Sequence, residues 1–135
     1  MQVTGRCHCG EITFEAEIDP QKPRICHCTD CQKLSGGPFR VVVAVSEADF
    51  RITAGTPKIY VKRSESGNPR QQAFCGTCGT PIYATSDDDA YPRRIGIRVG
   101  AIDGGIDLVP RREIWARSAA KWLPDFPGTT RIDEQ

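Results

Sequence analysis

The 135-residue chain has little of what would tie it to a membrane or a nucleic acid. No apolar run approaches the roughly 18 residues that cross a bilayer as a helix, so no membrane partner is expected. The opening Met1-Gln2-Val3-Thr4-Gly5-Arg6 lacks the apolar centre of an export signal, and the expected compartment is the cytoplasm. A charge excess of one sign is also missing. Eighteen Lys and Arg face seventeen Asp and Glu, leaving +1; a nucleic-acid binder would carry a strong basic excess, so none is expected as partner. Aromatic residues make up only 7% and methionine occurs once. No linker, low-complexity stretch or internal repeat divides the chain, and helical periodicity is scarce. With about 150 residues per domain as a guide, residues 1–135 are expected to form one domain, with 128–135 as a loose tail.

What the chain does have is cysteine, seven in three clusters: Cys7-His8-Cys9, Cys26-His27-Cys28-Thr29-Asp30-Cys31 and Cys75-Gly76-Thr77-Cys78. An odd number cannot pair fully into intrachain disulfides, and a reducing cytoplasm disfavours them. A single cysteine is most simply a small buried hydrophobe; seven with no stray among them point to metal. Zinc holds sulfur at about 2.3 Å in a tetrahedron, so its ligands must arrive in close pairs. In extended chain, residues i and i+2 share a face, which suits Cys7 with Cys9 and Cys26 with Cys28. Cys75 and Cys78 need a tight turn, for which Gly76 and Gly79 supply the backbone freedom.

Two closed tetrahedral sites would take eight ligands, and seven divide into four plus three. Structural zinc sites are closed by four protein ligands; catalytic ones keep three and an exchangeable position. The middle cluster, with three thiols in one short segment, suits the open site. The outer clusters suit a staple that closes a loop of more than sixty residues. His8 and His27 sit between the two cysteines of a Cys-x-Cys pair and are expected to face away from any shared ion. Either one as a ligand would change the arithmetic.

Short β-like runs separated by turn residues dominate the rest. Strands are expected near 11–18, 39–45, 51–53, 58–61, 71–74, 81–85, 94–99 and 112–115, one turn of helix capped by Ser46, and a short helix over 29–34.

The motifs Gly5-x-Cys7-His8-Cys9-Gly10-x-x-x-Phe14, Cys26-His27-Cys28-x-x-Cys31 and Phe74-Cys75-x-x-Cys78-Gly79 resemble those of the glutathione-dependent formaldehyde-activating enzyme family, also described as centromere protein V-like. The resemblance runs from about Gly5 to Trp122. It implies an all-β fold, a β-tent of stacked antiparallel sheets. It further implies a structural zinc on Cys7, Cys9, Cys75 and Cys78 and a catalytic zinc on Cys26, Cys28 and Cys31, two zincs per chain. The implied activity is that of a carbon–sulfur lyase on a thiol–aldehyde adduct, with glutathione as co-substrate and formaldehyde as the aldehyde. The alternative is a non-catalytic, zinc-stabilised binding or scaffold module.

Three thiolates give an open site a formal charge of −1 with zinc, which favours thiol chemistry over activation of water. Glutathione carries two carboxylates, and Arg6, Lys33, Arg40 and Arg98 are candidate partners. Ser35-Gly36-Gly37 reads as a turn. Trp115, Trp122, Tyr60 and Tyr83 read as packing residues, and Asp87-Asp88-Asp89 as a solvated loop.

Overall fold

The computed structural model describes residues 1–63 and 67–135. Its strands are β1 (Gln2–Arg6), β2 (Thr13–Glu17), β3 (Arg24–Cys26), β4 (Arg40–Ser46), β5 (Phe50–Ala54), β6 (Lys58–Arg63), β7 (Pro69–Phe74), β8 (Pro81–Ser86), β9 (Arg94–Arg98), β10 (Arg112–Ile114) and β11 (Thr130–Arg131). One helix, α1 (Thr29–Ser35), follows β3. Two sheets result, one of three strands in the order β1-β2-β5 and one of eight in the order β11-β10-β3-β4-β9-β8-β7-β6. Among the described residues no helix is long and apolar enough to cross a membrane.

Strand alternation decides which faces meet. In β2, Phe14 and Ala16 are buried while Thr13, Glu15 and Glu17 turn outward. In the large sheet, Val43 opposes Ile97 and Val45 opposes Ile95, and these four pack onto the small sheet with Ile12, Phe14 and Val3. Ring contacts from Phe14 to Phe50 (5.5 Å) and from Phe50 to Tyr83 (5.0 Å) tie the layers together. Gly5 lies where β1 approaches Phe14 and Ala101 so closely that a Cβ would sit 2.1 Å from the Phe14 ring. Only glycine fits there.

The intervening residues of the same strands, Arg40, Val42 and Ala44 on β4 and Arg94, Gly96 and Arg98 on β9, form the opposite face of the large sheet. Cys26 stands on that face, paired with Arg40.

The stacked sheets of the expected all-β fold are present, and the eight expected strands all form. The Ser46 hydroxyl caps a 3-10 turn at Glu47–Asp49 by accepting from the Ala48 N–H. Three differences have local causes. β1 and β3 were not anticipated, being a polar edge strand and a three-residue segment. β10 runs parallel to both neighbours, β3 and β11. The expected loose tail from residue 128 includes β11, because the Thr130 N–H donates to the Arg111 carbonyl and the Ile132 N–H to the Glu113 carbonyl. Those bonds satisfy an edge that β10 would otherwise leave open.

Candidate metal centres and an adjoining cavity

Two groups of sulfurs converge. Those of Cys7, Cys9, Cys75 and Cys78 all lie within 4.8 Å of one another, and so do those of Cys26, Cys28 and Cys31. In the first group the Cys7–Cys9 separation is 3.6 Å and the Cys9–Cys75 separation 3.8 Å. Sulfurs about 2.3 Å from the centre of a tetrahedron stand about 3.8 Å apart, so the spacing fits four thiolates on one ion.

Each half of this group comes from a turn. The Gly10 N–H donates to the Cys7 carbonyl and the Gly79 N–H to the Cys75 carbonyl, and both glycines have φ of +82°. A left-handed glycine directly after the second cysteine lets the chain reverse and return as a strand. The Cys7 pair is therefore joined by a turn, not by the extended segment expected from Cys-x-Cys spacing. Backbone N–H groups point back at sulfur, from Ile12 to Cys7 (3.2 Å) and from Cys78 to Cys75 (3.5 Å). Beside Cys78 the Thr80 hydroxyl, 3.2 Å away, and backbone N–H groups hold its thiol down at about 5. Cys7 and Cys75 are buried, while Cys9 and Cys78 reach the surface.

The second group is built differently. Cys26 ends β3, Cys28 is the extended N-cap of α1, and Cys31 lies in its first turn, with its N–H donating to the Cys28 sulfur at 3.2 Å. Contacts from the Cys26 and Cys31 thiols pull Cys28 down to about 2, and the same pairing with Cys28 and Cys31 pushes Cys26 far up. Three sulfurs brought to one point form a soft donor set. Among the described residues, no fourth cysteine, histidine or carboxylate joins this group.

Neither histidine belongs to a sulfur group. His8 is exposed. His27 turns to the opposite side of its Cys-x-Cys pair, as the alternation predicts, and is buried with Nε2 at 2.9 Å from Oε1 of the equally buried Glu113. Burial raises the Glu113 carboxyl, but hydrogen bonds from Thr129 and His27 outweigh it and leave the group below its ordinary value. The Gln32 side-chain amide donates to the carbonyls of His27 (2.8 Å) and Ser118 (2.9 Å), fixing α1 to the β10 side. Glu113 carried no sequence signal, since only the register of β10 on β3 brings it here.

A cavity of 330 Å³ adjoins the three-cysteine group, lined by Leu34, Arg40, Tyr60, Gln72, Phe74 and Arg98 among others. Arg40 is buried and shares a register position with Cys26. Arg98 donates to Oε1 of Gln72 at 2.7 Å, and burial, then the positive charge of Arg40, lowers its guanidinium to about 9, still charged at neutral pH. Of the four candidate cations, Arg40 and Arg98 line the cavity. Lys33 is exposed on α1, and Arg6 ends β1 near the four-cysteine group.

The remaining expectations divide. Gly36, with φ of +73°, ends α1 as the expected turn. Asp87 to Asp89 are exposed. Trp115 is half-buried, with the Arg117 guanidinium 5.1 Å from its ring. Trp122 does not pack: it is 74% exposed. Tyr60 is 54% exposed, at the cavity mouth.

A crystal structure of a Rhodobacter sphaeroides protein superposes with a TM-score of 0.59 at 22% identity, covering 79% of this chain and 97% of that one. It shares the fold. A Halomonas elongata protein, provisionally named a glutathione-dependent formaldehyde-activating enzyme, is 25% identical over 116 residues, 83% of this chain and 73% of that protein. The family model described as glutathione-dependent formaldehyde-activating enzyme matches residues 2–118, a span that holds both sulfur groups, the cavity and the Glu113 brace. With its stacked sheets and paired cysteine groups inside that span, the chain belongs to the glutathione-dependent formaldehyde-activating enzyme family.

Proposed function

We propose that the protein is a zinc-dependent enzyme that makes or breaks the carbon–sulfur bond of a thiol–aldehyde adduct of the S-hydroxymethylglutathione type. In this reading Cys7, Cys9, Cys75 and Cys78 hold a structural zinc, and Cys26, Cys28 and Cys31 hold the catalytic one. The observation that carries it is the convergence of three sulfurs, with no fourth protein donor among the described residues, beside a cavity lined by two arginines. All-thiolate donors select a soft divalent ion, and zinc is the common choice for such sets. Bound there, zinc would supply thiolate stabilisation, lowering the pKa of a thiol that meets it.

The chain's own residues do the rest. Arg40 and Arg98 offer charge-assisted hydrogen bonds to the carboxylates of a peptide thiol, which fixes where its sulfur lies. Leu34 and Phe74 exclude water from the cavity wall. In the forming direction the thiolate sulfur attacks the aldehyde carbon, the carbonyl pair moves to oxygen, and that oxygen takes a proton from solvent. The reverse sequence releases aldehyde and thiol. Holding sulfur and carbonyl together supplies the gain of proximity. Seven free thiols suit a reducing compartment, so we place the protein in the cytoplasm.

The test is turnover of glutathione with formaldehyde by Cys28→Ser beside the parent protein. Cys28→Ser should lose one metal equivalent and the rate enhancement while remaining folded. An unchanged rate in that variant would rule out the three-cysteine site as the catalyst.

A further inference from the structure

The outer face of the large sheet carries more arginines than the thiol cavity takes up: Arg98 belongs to both, while Arg24, Arg70, Arg94 and Arg112 do not line that cavity. Register places Arg112, Arg24, Val42 and Arg98 in one row across β10, β3, β4 and β9. The next row along begins with small residues, Ala44, Gly96 and Ala84, and continues through Gln72 to Tyr60. Beyond it, Ser46 pairs with Arg94, and Ser86 with Arg70. Successive same-face rows are about 7 Å apart, two residues of strand. The small residues Ala44, Gly96 and Ala84 therefore lie between Arg24 and Arg98 on one side and Arg94 and Arg70 on the other.

Cations outnumber anions there, with the Asp88 carboxylate, which accepts from the Ser86 hydroxyl at 3.2 Å, offsetting Arg70. Among the described residues no ion pair reaches Arg24, Arg70, Arg94, Arg98 or Arg112, although the chain as a whole is nearly neutral. The side-chain Nε groups of Arg24 and Arg98 are buried without a hydrogen-bond partner. Three thiolates carrying a dication amount to −1 and balance only one of these arginines. Folding like charges together, with buried donors unpaired, costs stability unless an anion completes the site. Two carboxylates would neutralise two guanidiniums. Four around one row of small residues match the denser charge and the three acceptor oxygens of a phosphoryl group.

We propose that the surface bounded by Arg24, Arg70, Arg94 and Arg98 is a binding site for a phosphoryl-bearing small molecule, sharing Arg98 with the thiol cavity and needing none of the three cysteines as ligands. The probes are inorganic phosphate, a sugar bisphosphate and S-methylglutathione, which has carboxylates but no free thiol. They are titrated calorimetrically, and by thermal melts, into the metal-loaded protein at low ionic strength. The bisphosphate should bind most tightly and raise Tm saturably. In Arg24→Gln with Arg70→Gln its affinity should fall at least about tenfold and the Tm rise should vanish, while Arg24→Lys retains part of both. Arg6→Gln should change nothing. Equal bisphosphate affinity in parent and double variant would overturn the site, as would S-methylglutathione being the only probe whose binding depends on Arg24 and Arg70. None of these readouts uses turnover, so the catalytic reading can fail while this site stands, and the reverse.

Discussion

His27 and Glu113 show how one buried pair can hold a functional segment in place. The two side chains, each 1% exposed, meet behind the strand end that presents Cys26 and Cys28 to the opposite side. Replacing Glu113 by Ala leaves the buried His27 without its partner, while Thr129 keeps the Phe126 carbonyl as acceptor. A loss of about 1–3 kcal/mol is expected in a denaturant titration, since an orphaned buried polar group costs that much. A loss below a few tenths would show that the pair is not structural. Farther off, Glu47 receives two hydrogen bonds from the Arg93 side chain, at 2.7 and 3.3 Å, and these bonds, with one from the Arg93 N–H, hold its carboxyl below the ordinary value. A depressed carboxylate stabilises the fold above its unfolded pKa, and that contribution is lost as pH falls through the folded value. Glu47→Gln should therefore cost up to about 1 kcal/mol at neutral pH and flatten the acid limb below about pH 4.5. Unfolding free energies of both proteins between pH 3 and 7 check the sign.

Among elements, β1 and the segments beside it set the tightest packing constraint. Gly5 cannot accept a Cβ without displacing the Phe14 ring or the Ala101 carbonyl, 2.5 Å away. Gly5→Ala should destabilise by at least about 1–3 kcal/mol through overpacking, read as a lower denaturant midpoint with unchanged slope. Ile97→Ala, in the fully buried layer between sheets, should cost about 2–5 kcal/mol. The same elements show what the sequence made legible and what it did not. The alternation of residues 11–18 and the valine run at 39–45 identified β2 and β4, because a half-buried or buried strand writes its environment into every second residue. The cysteine spacing disclosed both sulfur groups, since ligands on one ion must recur at short intervals. β3 and β11 are three and two residues long, too short for a period, and their parallel pairing with β10 depends on long-range register. Arg40 and Arg98 could not be ranked above Arg6 and Lys33 for the same reason: strands β3, β4 and β9 bring them beside Cys26 only in the folded sheet.

For the molecule as a whole, the two sulfur groups have unequal structural weight. Cys9 and Cys75 lie 66 residues apart in sequence, so an ion shared by the first group ties the small sheet to the turn after β7. Cys26, Cys28 and Cys31 span one strand end and one helical turn, and an ion there closes almost no loop. Cys75→Ser should therefore lower Tm sharply, whereas Cys28→Ser should leave it within a few degrees of the parent. The most direct measurement is X-ray absorption at the zinc edge of fully loaded protein, before and after glutathione is added. Two ions, one on four protein sulfurs and one on three, give an average of about 3.5 sulfurs per zinc, rising to about 4 when the thiol binds. An average already at four without thiol, or one that glutathione leaves unchanged, would contradict an open three-cysteine site.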